Sequence, residues 1–313
     1  MAFRCWSLSE ICIIGLLAIL ATPLPLWAHG IVGERMFIEP MFTEDANVKN
    51  ELVLPFTEFK VQPDGTWRQI GFAFEKQLYP DRLSLVLEAS RLYKHDDAGN
   101  LAGWDNLEAG IKFRAYANEP HEFVLTPALF AGFPTGSRQV TEHETTLIPM
   151  LLYGKGFGDV SPRSLRSFAI QGDIGIEASV KGSHDRQFMY DAVLMYSIPY
   201  LNHTVRKANS GYSIEHSLRQ GLSAGSILGN LFPYVEFNGS RPFGNTPGSA
   251  IGSLRPGILW MGKYIQVSFA ADIPLQSDGV DRHRGFCASL DWFLDEIIPA
   301  MEWTPFGRHN HSH

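Results

Sequence analysis

Three histidines alternate through the last five residues, His309, His311 and His313 in "RHNHSH". Neutral imidazole, present above about pH 6.5, is an acceptable ligand for Cu, Ni or Zn. His29 joins them if the chain is cut after Ala28, because an N-terminal His offers its amine as well as its ring. A closed zinc site needs four ligands, and no Cys stands beside these to help. The plainer reading is that His29 merely follows a cleavage site and that the tail is a polar end. A second set of residues is ionic: Glu108, Lys112, Arg114, Asp173, Glu177, Asp191, Glu236, Asp272 and Asp291. Each lies on the polar side of an alternating segment, and acids outnumber bases. Charges of both signs facing one space suit a crowded lumen with no dedicated anion path.

The elements that must carry these charges are strands. In "KYIQVSFAADIPL" Ile265, Val267, Phe269, Ala271, Ile273 and Leu275 share one face, and Gln266, Ser268, Ala270 and Asp272 the other. Period two marks a β-strand, whose successive side chains leave on opposite faces. "NLEAGIKFRAYA", "SFAIQGDIGIEAS", "HEFVLTPALFAGF" and "RGFCASLDW" repeat the pattern. Weaker copies cover 68–77, 82–92, 187–200, 231–241 and 251–260, and the faintest cover 52–60 and 212–222. The segments run about 9 to 13 residues; soluble strands are usually five or six, and a tilted strand needs about 9 to 11 to cross a bilayer. Ile111, Phe113, Ile174 and Phe269 are expected to meet lipid. Gln171 and Ser268 are expected to line a lumen tolerant of Lys.

Composition agrees with a membrane wall. Charged residues are 19% of the chain, below the roughly 25% usual for soluble domains. A net charge of −7 without a basic patch leaves no reason to expect nucleic acid. Arg4 and the apolar run Ile11–Leu20, followed by Pro23, Pro25 and Ala28, read as a signal peptide, residues 1–28. Cys5 and Cys12 would leave with it, and the remaining Cys287 has no partner for an internal disulfide. The mature chain divides into a periplasmic N-terminal segment or partial plug (29–50), a transmembrane barrel (51–294) and a His-containing tail (295–313). No later run is apolar enough for a helical span.

Twelve strand candidates make an even number, as single-chain bacterial barrels have. Counted from the periplasm, "YPD", "NEP", "KGSHD", "AGSILG" and "MG" are short turns there. "KHDDAGNLAG", the segment Ala131–Arg163, "LNHTVRKANSG", "GNTPGS" and "QSDGVD" are external. "TTLIPMLLYGKG", inside Ala131–Arg163, reads as a strand extension or a loop folded into the mouth. Trp104, Tyr200, Trp260, Tyr264 and Trp292, near strand ends, fit interfacial girdles. No HExxH, paired CxxC or P-loop points to an enzyme. Ser268, His283 and Asp272 form a trio that any polar lumen would offer.

"GIKFRAYANEPHEFVLTPALFAGFPTGS", "GKGFGDVS" and "LRPGILWMGKYIQVSFAADIPL" resemble the outer-membrane β-barrels of the MetA-pathway of phenol degradation type, over roughly residues 50 to 294. The resemblance implies a Gram-negative outer-membrane barrel that passes or binds small, often apolar or aromatic molecules. It implies outer-membrane lipid and the barrel assembly machinery as partners, no cofactor, and no catalytic residues. Here the chain continues past Phe293, so the assembly signal would lie near Trp292–Leu294. Two alternatives stand beside it: an exported soluble β-sandwich that binds a ligand, and a metal-binding outer-membrane protein using His29 and the tail.

Overall fold

The computed structural model describes residues 30–97, 99–141, 143–180, 186–205, 227–243, 250–275 and 284–307. Two short strands, β1 (Ile31–Val32) and β2 (Arg35–Met36), form a hairpin. The wall follows: β3 (Glu51–Gln62), β4 (Gly65–Tyr79), β5 (Leu83–Asp96), β6 (Gly99–Trp104), β7 (Leu107–Phe113), β8 (Tyr116–Asn118), β9 (Phe123–Phe133) and β10 (Thr146–Gly156). It continues through β11 (Phe168–Ser179), β12 (Arg186–Tyr196), β13 (Leu231–Phe243), β14 (Ile251–Met261), β15 (Ile265–Pro274) and β16 (Arg284–Phe293). β6 and β7 both pair with β5, and β7 and β8 both pair with β9. These three are therefore one broken wall strand. β16 pairs with β3 and β10 with β9, and the antiparallel barrel closes at twelve strands.

Membership of the twelve differs from the sequence reading. "TTLIPMLLYGKG" is a full strand, β10, paired on both sides. The 212–222 candidate lies outside the described residues. Pro149 and the Gly-rich end of β10 weaken its alternation, so the period-two signal alone under-reads it. The substitution also reverses part of the topology. The strand ends of β11 and β12 meet at the end opposite the one where β3 starts and β16 stops. "KGSHD", placed by sequence among the turns at the terminal end, lies outside the described residues, and the β11 and β12 ends that flank it are at the opposite end. The connection after β12, which begins with "LNHTV", leaves the terminal end.

The pleat sorts the side chains as alternation requires. On β15 Gln266, Ser268, Ala270 and Asp272 are buried, while Val267, Phe269 and Ile273 are exposed. Phe269 is 52% and Ile111 50% accessible, with Ile174 close behind. The apolar face is thus outside, which disfavours the soluble-sandwich alternative. No described helix is long and apolar enough to cross a membrane.

The core lies inside the wall. Twelve strands about 4.8 Å apart, tilted about 40°, give a Cα radius of about 12 Å. That leaves room for one folded segment between the inward side chains. Residues 30–50 take it, buried or half-buried throughout. Ile31, Val32, Met36, Phe37 and Ile38 pack with inward Phe130, Leu152, Val193, Phe232 and Leu259 in one apolar cluster. Gly110 makes room for an inward ring, since a Cβ there would lie 2.2 Å from Phe130.

Lys in place of Ile111, Ile174 or Phe269 is expected to cost about 2 to 4 kcal/mol near the bilayer midplane. Urea unfolding from vesicles measures it. The expectation that Gln171 and Ser268 tolerate Lys is corrected. Gln171 is buried and its Nε2 donates to Ile38 O at 2.9 Å, while Ser268 Oγ lies 2.7 Å from Tyr234 Oη. Lys there would bury a charge in a filled space and is also expected to destabilise.

Candidate functional site

The terminal half of the lumen holds the N-terminal segment by ionic and hydrogen-bond contacts from many strands. At its base the β1–β2 hairpin turns at Gly33, whose φ is +62°. A Cβ there would meet Glu119 O at 2.3 Å, so only glycine lets the hairpin sit against that turn. Arg35, fully buried, donates from Nε to Glu122 Oε2 at 3.1 Å and from Nη1 to Ser167 O at 3.3 Å. Its guanidinium lies over the Tyr200 ring, 3.7 Å from the centroid. Tyr200 Oη donates to Glu122 Oε1 at 2.7 Å, and Gly158 N donates to Glu122 Oε2 at 3.1 Å. A planar cation with several donors suits this fork of carboxylate, carbonyls and ring.

Higher up, wall carboxylates face the segment's backbone. Glu236 Oε1 accepts from the backbone N of Phe42 at 2.9 Å and of Thr43 at 2.6 Å, and from Thr43 Oγ1 at 2.8 Å. Its Oε2 accepts from Met41 N at 3.2 Å. Asp173 Oδ2 accepts from Glu44 N at 3.0 Å. Such a nest of N–H groups offsets the cost of burying an anion. The wall brings like charges together: Asp173 stands opposite Asp191, Glu51 opposite Glu75 and Glu88 opposite Glu108. Directly opposed like charges are unfavourable.

Two lysines answer them. Lys112 Nζ lies 3.0 Å from Glu75 and 3.8 Å from Glu44. Lys49 Nζ pairs with Asp45, with Glu39 at 2.9 Å and with Glu51 at 3.4 Å. Burial would lower Lys49, but those three carboxylates hold it protonated, above the ordinary lysine range. Burial pushes Glu44 up to about 7 against the pull of Lys112, and Glu39, Glu75 and Glu108 add to the rise.

The nine ionic residues predicted from sequence fall into four groups. Lys112, Asp173 and Glu236 contact the segment directly. Asp272 pairs with Arg255 Nε at 3.1 Å and Asp191 accepts from Gly239 N at 3.1 Å, so both serve the wall. Arg114 sits buried in the break between β7 and β8, and Asp291 is buried with neither carboxylate oxygen hydrogen-bonded. Glu108 and Glu177 line the opposite half of the lumen. There a cavity of about 430 Å³ is bounded by Asp105, Glu108, Glu144, Glu177 and Gln187, with Val140 among the few apolar groups.

Arg35, Lys49, Glu75, Glu122 and Arg255 were missed. Glu75 and Glu122 sat on polar faces of recognised strands, but the three cations gain meaning only from partners far along the chain. Tyr200, expected in an interfacial girdle, is instead 3% accessible against Arg35 and Glu122. Trp104 and Tyr264 are exposed as a girdle requires. His29, His309, His311 and His313 lie outside the described residues, and no metal-holding group occurs among the described ones. Of the trio, Ser268 bonds Tyr234 and Asp272 bonds Arg255, while His283 lies outside the described residues.

No family model matches the chain, and no curated protein matches it. Solved structures do. An outer-membrane channel from Pseudomonas putida F1 aligns with a TM-score of 0.50 at 14% identity, covering 82% of this chain and 98% of its own. The fold is that of an outer-membrane β-barrel. The NanC porin aligns at 0.47 and 8% identity over 78% of this chain and 98% of its own. The KdgM porin aligns at 0.43 and 8% identity over 77% and 98%.

Proposed function

We propose that this chain is an outer-membrane channel for small solutes, held closed by its own residues 30–50. The observation that carries the reading is the closed wall, apolar outside and ionic inside, with a segment of the same chain bound to the inner charges. The protein is exported through a signal peptide cut after Ala28 and inserted by the barrel assembly machinery. Its terminal end faces the periplasm. Solutes reach the cavity at the external end, where acids outnumber every other charged lining group. Positively charged or hydrogen-bonding small molecules are favoured there over anions. The apolar or aromatic compounds implied by the resemblance to the MetA-pathway type meet little apolar lining beyond Val140.

Membrane fractionation with a heat-modifiability gel tests the placement, and planar-bilayer recordings test the selectivity. The reconstituted protein is expected to prefer K⁺ to Cl⁻. Glu108→Gln with Glu177→Gln should reduce that preference without unfolding the barrel, because both line the cavity. Asp272→Asn is expected instead to weaken the wall, since it breaks the pair with Arg255. Anion selectivity, or recovery in the soluble periplasm without a mobility shift, overturns the reading.

A further inference from the structure

The chain does not leave the wall at the end of β16. Leu294 N donates to Asn50 O at 3.0 Å, and a short helix, Leu294–Ile297, carries the chain across the start of β3. A 3-10 turn over Pro299–Glu302 then brings it to β4. Lys76 of β4 stands between inward Glu75 and Gln77, so its side chain leaves on the outer face. Its Nζ donates to Met301 O at 2.7 Å, to Trp303 O at 2.8 Å and to Asn50 Oδ1 at 2.8 Å. Phe306 N donates to Leu78 O at 2.9 Å, and Gly307 lies close enough to Tyr79 that a Cβ would meet its ring at 2.9 Å. Residues 294–307 are therefore strapped to the outside of the barrel rim over three adjacent strands.

The strap turns apolar groups outward. Trp303 is 69% and Phe306 59% accessible, and Ile297 and Ile298 are exposed as well. Thr304, between them, is buried against the wall. A strap that only closed the rim would face its rings inward. The outer face of the wall it lies on is already apolar, with Tyr264 exposed at the same end. Aromatic side chains favour the boundary between headgroups and acyl chains, where ring and polar edge are both satisfied. Lys76, its ammonium held by two carbonyls and an amide oxygen, carries no bare charge into that layer.

We infer that residues 294–307 form an interfacial anchor whose Trp303 and Phe306 sit in the phospholipid leaflet at the terminal end of the barrel. The anchor rests on the proposal that the barrel spans a membrane. It fixes the depth of the β16–β4 sector, and so the height of the lumen mouth where the N-terminal segment enters.

The test uses the chain from His29 onward, whose one cysteine, Cys287, is changed to Ser, with Phe306→Cys carrying an environment-sensitive fluorophore. Phe269→Cys, on the outer face in mid-strand, is the reference. Both are refolded into vesicles of zwitterionic and anionic phospholipid bearing a nitroxide either near the headgroup or at mid-chain. The label at position 306 is expected to be quenched more by the shallow nitroxide than by the deep one, and to be shielded from iodide. The reference should show the opposite depth preference. Iodide quenching at 306 equal to that of the urea-unfolded chain, with the reference still lipid-quenched, overturns the anchor and leaves the barrel reading standing. Loss of lipid quenching at both positions overturns both. If the labelled chain fails its heat-modifiability check, Trp303→Ser in the natural chain decides the matter. Shallow brominated lipid should quench less of its tryptophan emission than of the parent's, and equal quenching overturns the anchor.

Discussion

Deleting residues 30–50 is expected to turn a closed lumen into a steadily conducting one. A wall of about 12 Å Cα radius keeps an aqueous path once the inward side chains are subtracted. In the intact protein that path is filled across its terminal half by the buried segment and its apolar cluster. The barrel should survive, because its backbone hydrogen bonds run from strand to strand around a closed ring and none depends on the segment. Water would replace the backbone donors now bound to Glu236 and Asp173. Single-channel recording of the two chains measures the difference, and equal conductance would show that the segment does not gate. The same experiment carries a pH dependence. Glu44 is pushed up to about 7 when seated, from an ordinary 4.5. Between those values the seated state binds the extra proton, so seating weakens as pH rises through that window and is strongest below it. Opening of the intact chain should therefore be more frequent at pH 8 than at pH 5, and Glu44→Gln should flatten the trend.

Arg35→Ala is expected to release the base of the segment at a cost of about 3 to 5 kcal/mol, because removing one partner leaves Glu122 buried without its cation. The loss is local: hydrogen exchange at residues 31–38 should speed up while the wall strands keep their protection. Arg35→Lys should recover only part of the effect, since a point ammonium cannot bond Glu122 and the Ser167 carbonyl together while lying flat on Tyr200. Unchanged exchange in the alanine variant would mean that the apolar cluster alone seats the hairpin.

The wall was legible because its information is local. In "KYIQVSFAADIPL" each residue's face follows from its neighbours, and every side assigned to it from sequence holds in β15. β10 was read as an extension or a loop, because Pro149, Gly154 and Gly156 interrupt its alternation while its pairing with β9 and β11 is non-local. The faint 212–222 candidate had filled the same place in the count. The even total counted from sequence was thus reached without β10, and the assignment of connections on either side of β12 went wrong with it.

The ionic residues show the same division. Alternation placed Glu236 and Asp173 on the inner face, and they are there. It could not say that their oxygens would meet the amides of residues 41–44, which lie well over a hundred positions earlier in the chain. Nor could it pair Arg35 with Glu122, or carry Tyr200 from an expected membrane girdle into that buried cluster. The need for glycine at position 33 arises only where the hairpin meets Glu119.

By itself, then, the sequence determined a transmembrane wall of alternating strands with charge on one face, because side-chain direction in a pleated strand depends only on residue parity. The tertiary structure decided what occupies the lumen, which charges meet, and that residues 294–307 lie along the outer rim. Those are contacts between segments far apart in the chain, set by ring closure and by the space twelve strands enclose.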